Sequence, residues 1–141
     1  MRIQIRDYQP SDYKEVKKNL LGRQNMFDLV WDSEESLNRE IEREPDFILV
    51  ADVNGKAVGN VFLANWWGHG GWIFHLAVRK ELRGQGIADK LMDEAERRLK
   101  KKGVKEAALL VSVDNKKTRE YFAKRGYKDF PGKYKSVVKK L

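Results

Sequence analysis

Trp72-Ile73-Phe74-His75-Leu76-Ala77-Val78, then Arg79-Lys80-Glu81-Leu82, then Arg83-Gly84-Gln85-Gly86-Ile87-Ala88 is the stretch on which the fold turns. The first seven residues read as a strand. From Ile87 the apolar residues Leu91, Ala95 and Leu99 recur every three to four positions, with Asp, Glu, Lys and Arg between them until Gly103, which spells a long amphipathic helix. A strand, a glycine-rich loop and a helix together make a recipe for binding phosphate. Glycines let the backbone approach an anion without a Cβ in the way, and the amides of the first helical turn point outward at the positive end of the helix dipole. Arg83 adds a fixed positive charge. The loop is also compatible with a plain tight turn. It is neither a Walker A loop nor a completed GxGxxG dinucleotide fingerprint.

Working outward, residues 104–113 are rich in Ala, Leu and Val and predict a buried strand. Asp114-Asn115 then caps a helix running to about Arg125 and closed by Gly126. The tail, residues 127–141, holds Phe130-Pro131-Gly132 between two short alternating segments. Upstream, residues 47–53, the pair Asn54-Gly55 and residues 57–67 predict a hairpin, because Asn-Gly supplies the positive φ angles of a tight turn. Gly68-His69-Gly70-Gly71 marks the next turn, so three consecutive strands form an antiparallel meander. At the start, Ile3 and Ile5 alternate as a strand, and Pro10-Ser11-Asp12 reads as turn and N-cap before Tyr13, Val16, Leu20 and Leu21 at helical spacing. Asp32-Ser33-Glu34-Glu35 places a capping Asp three residues before a Glu, and Leu37 and Ile41 continue the pattern to Pro45. The expected order is βααβββαβαββ, a mixed α/β fold in a single domain over residues 1–141.

The chain has 141 residues, no Cys, 41% hydrophobic and 35% charged residues and a formal charge of +8. That length suits one core, the apolar share is too high for a disordered chain, and the apolar runs at 47–51 and 107–111 are far too short to cross a bilayer. The first seven residues lack the continuous apolar segment of a secretory leader, so the expected location is cytoplasmic. Without Cys there is no disulfide framework, thiolate metal site or Cys nucleophile, and with only His69 and His75 no metal centre is expected. The charge is uneven: residues 1–70 hold nine Lys+Arg and twelve Asp+Glu, and residues 71–141 hold 20 and nine. A basic excess can address nucleic acid, an anionic membrane or a phosphorylated small molecule. The Lys and Arg between residues 97 and 140 lack the aromatic-and-basic alternation of a stacking platform, so neither nucleic acid nor membrane is an expected partner.

Arg83, Gly86 and Ala88 meet the Gln/Arg-x-x-Gly-x-Gly/Ala signature of the GCN5-related N-acetyltransferase (GNAT) superfamily, which the element order resembles along nearly the whole chain. Asn115, Phe122 and Gly126-Tyr127 resemble that family's second motif. The resemblance implies a central, mostly antiparallel mixed sheet flanked by helices, with acetyl-CoA as acetyl donor and an amine as acceptor. By the same resemblance, Arg83, Gly84, Gln85, Gly86, Ile87 and Ala88 wrap the pyrophosphate. Leu76, Ala77 and Val78 hydrogen-bond the pantetheine through a strand that splays from its neighbour, with Asn115 and Phe122 beside the same arm. A backbone N–H near Val78 polarises the thioester carbonyl.

Two departures from the family pattern concern catalysis. Relatives often carry a Tyr seven residues after the Asn as general acid, where this chain has Phe122, with Tyr121 one residue earlier. Tyr121 is turned about 100° from Phe122 on the helix, so it either packs in the core or reaches the sulfur through a shifted helix. Several relatives also place a Glu or His at the start of the strand, where this chain has Trp72. His75 falls on the face of Ile73 and Ala77 if alternation holds, which reads as a packed histidine rather than a base. His69 is left open, and a water chain or the free-amine fraction of the acceptor can replace a base. Trp66, Trp67 and Trp72, with Glu34 and Glu35, are the candidate acceptor residues, an aromatic and acidic lining suited to a cationic small-molecule or peptide amine; the Trp residues also read as core or interface anchors. The family often dimerises, so a homodimer is among the expectations. Absence of Cys favours direct attack of the amine in a ternary complex. The alternative from another class is a non-catalytic acyl-CoA sensor.

Overall fold

The computed structural model describes residues 1–23, 26–129 and 137–141, with the backbone alone at Trp66 and Trp67. Residues 1–109 form one compact unit and residues 110–141 a second.

In the first unit, strands β1 (Gln4–Asp7), β2 (Ile48–Val53), β3 (Lys56–Trp67), β4 (Gly70–Val78) and β5 (Glu106–Ala108) lie side by side in sequence order. The first three pairings are antiparallel and β4–β5 is parallel. Asn54 and Gly55 take φ of 54° and 83°, the positive angles that a two-residue hairpin turn demands. One face of the sheet carries α1 (Tyr13–Leu21) and α2 (Glu34–Arg43). Val16 and Leu20 from α1 and Leu37 from α2 pack there with Tyr8, Ile48, Val50, Phe62 and Ala77. The other face carries α3 (Ile87–Lys101), whose Ile87, Leu91, Met92, Ala95 and Leu99 are buried. Burial of each of the larger ones, Ile87, Leu91, Met92 and Leu99, contributes about 1.5–3 kcal/mol relative to exposure. The helix comes close enough to β3 that a Cβ on Gly59 would stand 3.3 Å from both Ile87 Cγ2 and Leu91 Cδ1 and 3.1 Å from Ala77 O, so a larger residue there needs its neighbours to give by a few tenths of an ångström.

In the second unit, α4 (Lys116–Lys124) begins at Asn115, whose side chain accepts a hydrogen bond from Thr118 N, and gives way to Gly126 at φ 95°. Phe122 is buried, with the rings of Tyr121 and Tyr127 at 5.1 and 5.8 Å. No helix among the described residues is long and apolar enough to cross a membrane.

The element order matches expectation through α4, with three corrections. The strand expected over 104–113 is three residues long, with Leu110 and Val113 exposed; among the described residues β5 pairs only with Gly70–Trp72. Asp12 stands at the N-cap position of α1 but makes no side-chain cap bond: its carboxylate accepts instead from Gln9 N at 2.8 Å and from the Arg6 guanidinium at 2.8 and 2.9 Å. Nor does Asp32 cap α2; Ser33 does, its Oγ accepting from Ser36 N at 3.1 Å. The two strands expected around Phe130-Pro131-Gly132 fall mostly outside the described residues, and 127–129 and 137–141 carry no regular structure.

Candidate active site

β4 is paired on both sides only at its start. Its parallel ladder with β5 runs from Gly70↔Glu106 to Trp72↔Ala108 and stops, while its antiparallel ladder with β3 continues to Val78. Beyond Trp72 no described strand covers that edge, and two features shape it.

The first is a bulge. His75 has φ 55°, a left-handed conformation unusual for a non-glycine residue, and the β3–β4 register slips there from Phe62↔Phe74 to Asn60↔Ala77. Strand alternation therefore fails: Phe74 and His75 both reach the Phe62 ring, at 5.6 and 5.1 Å between centroids. The alternation expected to set His75 on the face of Ile73 is corrected accordingly, while the ring is packed, against Phe62 and Phe74. The His75 side chain lies toward the loop between α1 and α2, with Nε2 at 2.9 and 2.8 Å from the two carboxylate oxygens of Asp32. Its carbonyl, displaced from the ladder, accepts from Asn60 Nδ2 at 2.9 Å. Asn60 is fully buried and accepts in turn from Asn19 Nδ2 at 3.0 Å; Asn19 takes Arg79 Nε at 2.9 Å, and Arg79 closes on Glu15 at 2.8 Å. The buried amides thus satisfy polar groups that the bulge would otherwise strand.

The second is the loop after β4. Arg79 N donates to Val58 O at 2.8 Å, which makes Gly59↔Val78 a non-hydrogen-bonded pair. The N–H and C=O of Val78 consequently point away from β3, to the uncovered edge. Arg83 Nε donates to that carbonyl at 3.0 Å, leaving the Val78 N–H as the group available there. Gly84 and Gly86 have φ of 81° and 84°, and a Cβ on either would meet nothing within 4 Å. Glycine is needed here for backbone angle, and the space beside it is open. No side chain caps α3 at Gly86, so the first-turn amides face that space. Gln85 is exposed and Ala88 half-buried, whereas the Ile87 side chain is core and can offer a ligand only its amide.

Arg83 also lies near the end of α1, with Gly22 O at 3.5 Å. Burial first, and the Arg83 charge second, push the Arg23 guanidinium below its ordinary value. Two cations brought together beside an open glycine loop suit a multiply charged anion, and Arg23 is a binding candidate that its position at the end of α1 did not announce in the sequence.

The expected acceptor residues divide. Trp72 is half-buried between Ala64 and Ala108 on the flanking strands. Glu34 and Glu35 are exposed in the first turn of α2. Burial, and then the Glu34 charge, push the phenols of Tyr8 and Tyr13 up, which sets Glu34 beside both rings. The side chains of Trp66 and Trp67 lie outside the described residues. Of the second motif, Asn115 spends its side-chain oxygen on the helix cap, and Phe122 rather than Tyr121 is the buried ring. Asp32 was hidden in the sequence because it precedes a helix and reads as its cap; the adjacent Ser33, sufficient for that task, is the signal that could have released it. Among the described residues no three His, Asp or Glu side chains gather to hold a metal ion.

The sequence model of the acetyltransferase (GNAT) family matches residues 7–127. The chain belongs to that family. An acetyltransferase of Photorhabdus laumondii is 33% identical over 90% of this chain and 87% of its own length, and one of Yersinia enterocolitica is 33% identical over 80% and 79%. The PaiA N-acetyltransferase of Thermoplasma acidophilum, solved in complex with coenzyme A, shares the fold with a TM-score of 0.79 at 23% identity, covering 94% of each chain. Membership makes this chain an acetyl-CoA-dependent N-acetyltransferase, and the open glycine loop, the paired arginines and the uncovered β4 edge fit that donor.

Proposed function

We propose that the chain transfers acetyl from acetyl-CoA to a primary amine of a small molecule or peptide, the amine attacking directly within a ternary complex. The observation that carries this reading is the outward-pointing Val78 N–H on an uncovered strand edge that leads straight into the Arg83–Ala88 loop. Acetyl-CoA supplies an activated thioester; the chain supplies binding, orientation and charge. The edge of β4 accepts the amide-bearing arm as it would another strand, with Leu76, Ala77 and Val78 as the contact residues. The amides of Gly84 to Ala88, with Arg83 and Arg23, hold the phosphates, and the family resemblance assigns Asn115 and Phe122 a donor-binding role. The Val78 N–H polarises the thioester carbonyl, and Tyr121 is the candidate proton donor to the sulfur.

For the acceptor, Glu34 and Glu35 with Trp66, Trp67 and Trp72 form an acidic and aromatic surround suited to a cationic amine. The decisive assay is thiol release from acetyl-CoA over a panel of polyamines, amino sugars and peptide N-termini. Turnover concentrated on cationic acceptors supports the reading. Coenzyme binding without thiol release on any amine overturns it in favour of an acyl-CoA sensor, a role that Phe122 at the usual tyrosine position would also suit.

A further inference from the structure

We propose that His75, oriented by Asp32, is the base that takes the proton from the acceptor ammonium, an inference that rests on the acetyltransferase reading above. Asp32 is almost fully buried, and each of its polar groups is engaged. Its carboxylate accepts from Asp28 N at 2.8 Å and from His75 Nε2, its N–H donates to Asp28 O at 2.9 Å, and its carbonyl accepts the Tyr13 hydroxyl at 2.9 Å. A loop fastened this closely holds a carboxylate at one imidazole nitrogen. That contact makes Nε2 the protonated nitrogen and leaves the lone pair on Nδ1, to which no described residue hydrogen-bonds. One-fifth of the imidazole is exposed against 3% of the carboxylate, so the ring has an open edge and its partner does not.

The backbone points the same way. A non-glycine residue in the left-handed region costs about 1–2 kcal/mol, and a histidine that merely filled space would have no need of it. The bulge turns His75 toward the α1–α2 loop on the same uncovered run of β4 that ends in the outward Val78 N–H. Asp32 faces the imidazole from that loop, with Asp28 N–H on the same carboxylate and the Tyr13 hydroxyl of α1 on the Asp32 carbonyl, and Glu34 of α2 acts electrostatically on Tyr13; among the described side chains of β3 and β4, the Phe62 and Phe74 rings pack on it.

The step balances as a proton transfer followed by acyl transfer. The ammonium gives one proton to Nδ1, and the freed lone pair forms the C–N bond as the C–S bond breaks. The sulfur leaves with the electron pair and gains one proton, while the acylated nitrogen loses one. The imidazolium returns its proton to solvent. Asp32 fixes tautomer and ring orientation throughout and is a positioning residue.

The test compares wild type, His75→Asn and Asp32→Asn by thiol release against pH with the best acceptor of the panel. Asn tolerates the left-handed backbone and so preserves the bulge; His75→Gln is the second variant should His75→Asn not fold. Expected for His75→Asn is a fall in kcat/KM for the amine of about 100-fold at neutral pH, with coenzyme affinity unchanged and Tm lowered by the loss of the buried Asp32 carboxylate's partner. The deficit should shrink as the pH rises toward the amine's own ionisation, and added imidazole should restore part of the rate. Asp32→Asn should lose about tenfold. A His75 variant that keeps wild-type kcat/KM across the pH range, or one whose loss is equal at every pH and comes with lost coenzyme binding, overturns the proposal while the acetyltransferase reading stands. A wild-type protein that releases no thiol with any amine overturns both.

Discussion

At His75 the backbone leaves the regular pleat, and side chains from other elements catch the groups it displaces: Asn60 takes the carbonyl, Asp32 takes the ring, and Asn19 and Arg79 tie Asn60 to α1. At Gly84 and Gly86 the backbone also adopts positive φ, yet beyond the adjacent residues no described atom stands within 4 Å of where a Cβ would project. One conformation is held by named partners and the other by the absence of a side chain. The bulge therefore depends on several distant residues and tolerates little substitution among them. The loop depends on its own glycines and keeps its neighbourhood empty for a ligand.

The comparison breaks most visibly in a Gly86→Glu variant. A carboxylate projected into the open space, on a residue forced into the left-handed region, should weaken coenzyme A binding by about 100-fold, or about 2.7 kcal/mol. Titration calorimetry checks this, and near-normal affinity would show that the space beside the loop is not the phosphate cradle. Next in size is Asn60→Ala, which strands the His75 carbonyl in a buried site and leaves the Asn19 amide with Ala57 O as its remaining acceptor. It should cost about 2–3 kcal/mol in urea denaturation and lower turnover, while coenzyme affinity changes less than about twofold. A large loss of affinity there would mean that the two regions are one.

The smallest effect is expected at the outer end of the network. The hydrogen bond from Arg79 holds the Glu15 carboxyl below its ordinary value of 4.5, so the folded chain binds that proton less readily than the unfolded one. The pair accordingly adds stability above that value and loses it as the pH falls through the lowered one. Glu15→Gln should reduce stability by about 0.5 kcal/mol at neutral pH, and its difference from wild type should vanish in acid. A difference that persists in acid would assign Glu15 a packing role instead.

The glycine-held region was legible in the sequence because its cause is local: Arg83-Gly84-Gln85-Gly86 between an apolar strand and the Ile87-Leu91-Ala95-Leu99 stripe admits few conformations. The Asn54-Gly55 hairpin was legible for the same reason. The side-chain-held region was not. A bulge leaves no mark in a run such as Phe74-His75-Leu76-Ala77, where counting by twos sends His75 to the wrong face. Asp32 sits 43 residues from its partner and beside a helix start that offers a more familiar role. The apolar character of residues 104–113 overstated β5, because a strand's length is set by its neighbour, and β5 pairs with β4 only as far as Trp72. Phe122 and Tyr121 could be separated by helical angle but not ranked for burial, which their ring contacts with each other and with Tyr127 decide.

The bulge also bears on solubility. An edge that no described strand covers is open to a strand from another protein molecule, the usual start of sheet-to-sheet aggregation. From Ile73 to Val78, however, the extra residue at His75 breaks the even spacing of donors and acceptors that a regular strand would need to zip along it. A flexible ligand that needs only one or two of those groups is not deterred. The same irregularity that turns His75 toward Asp32 can thus admit a small molecule to the edge while discouraging a second chain.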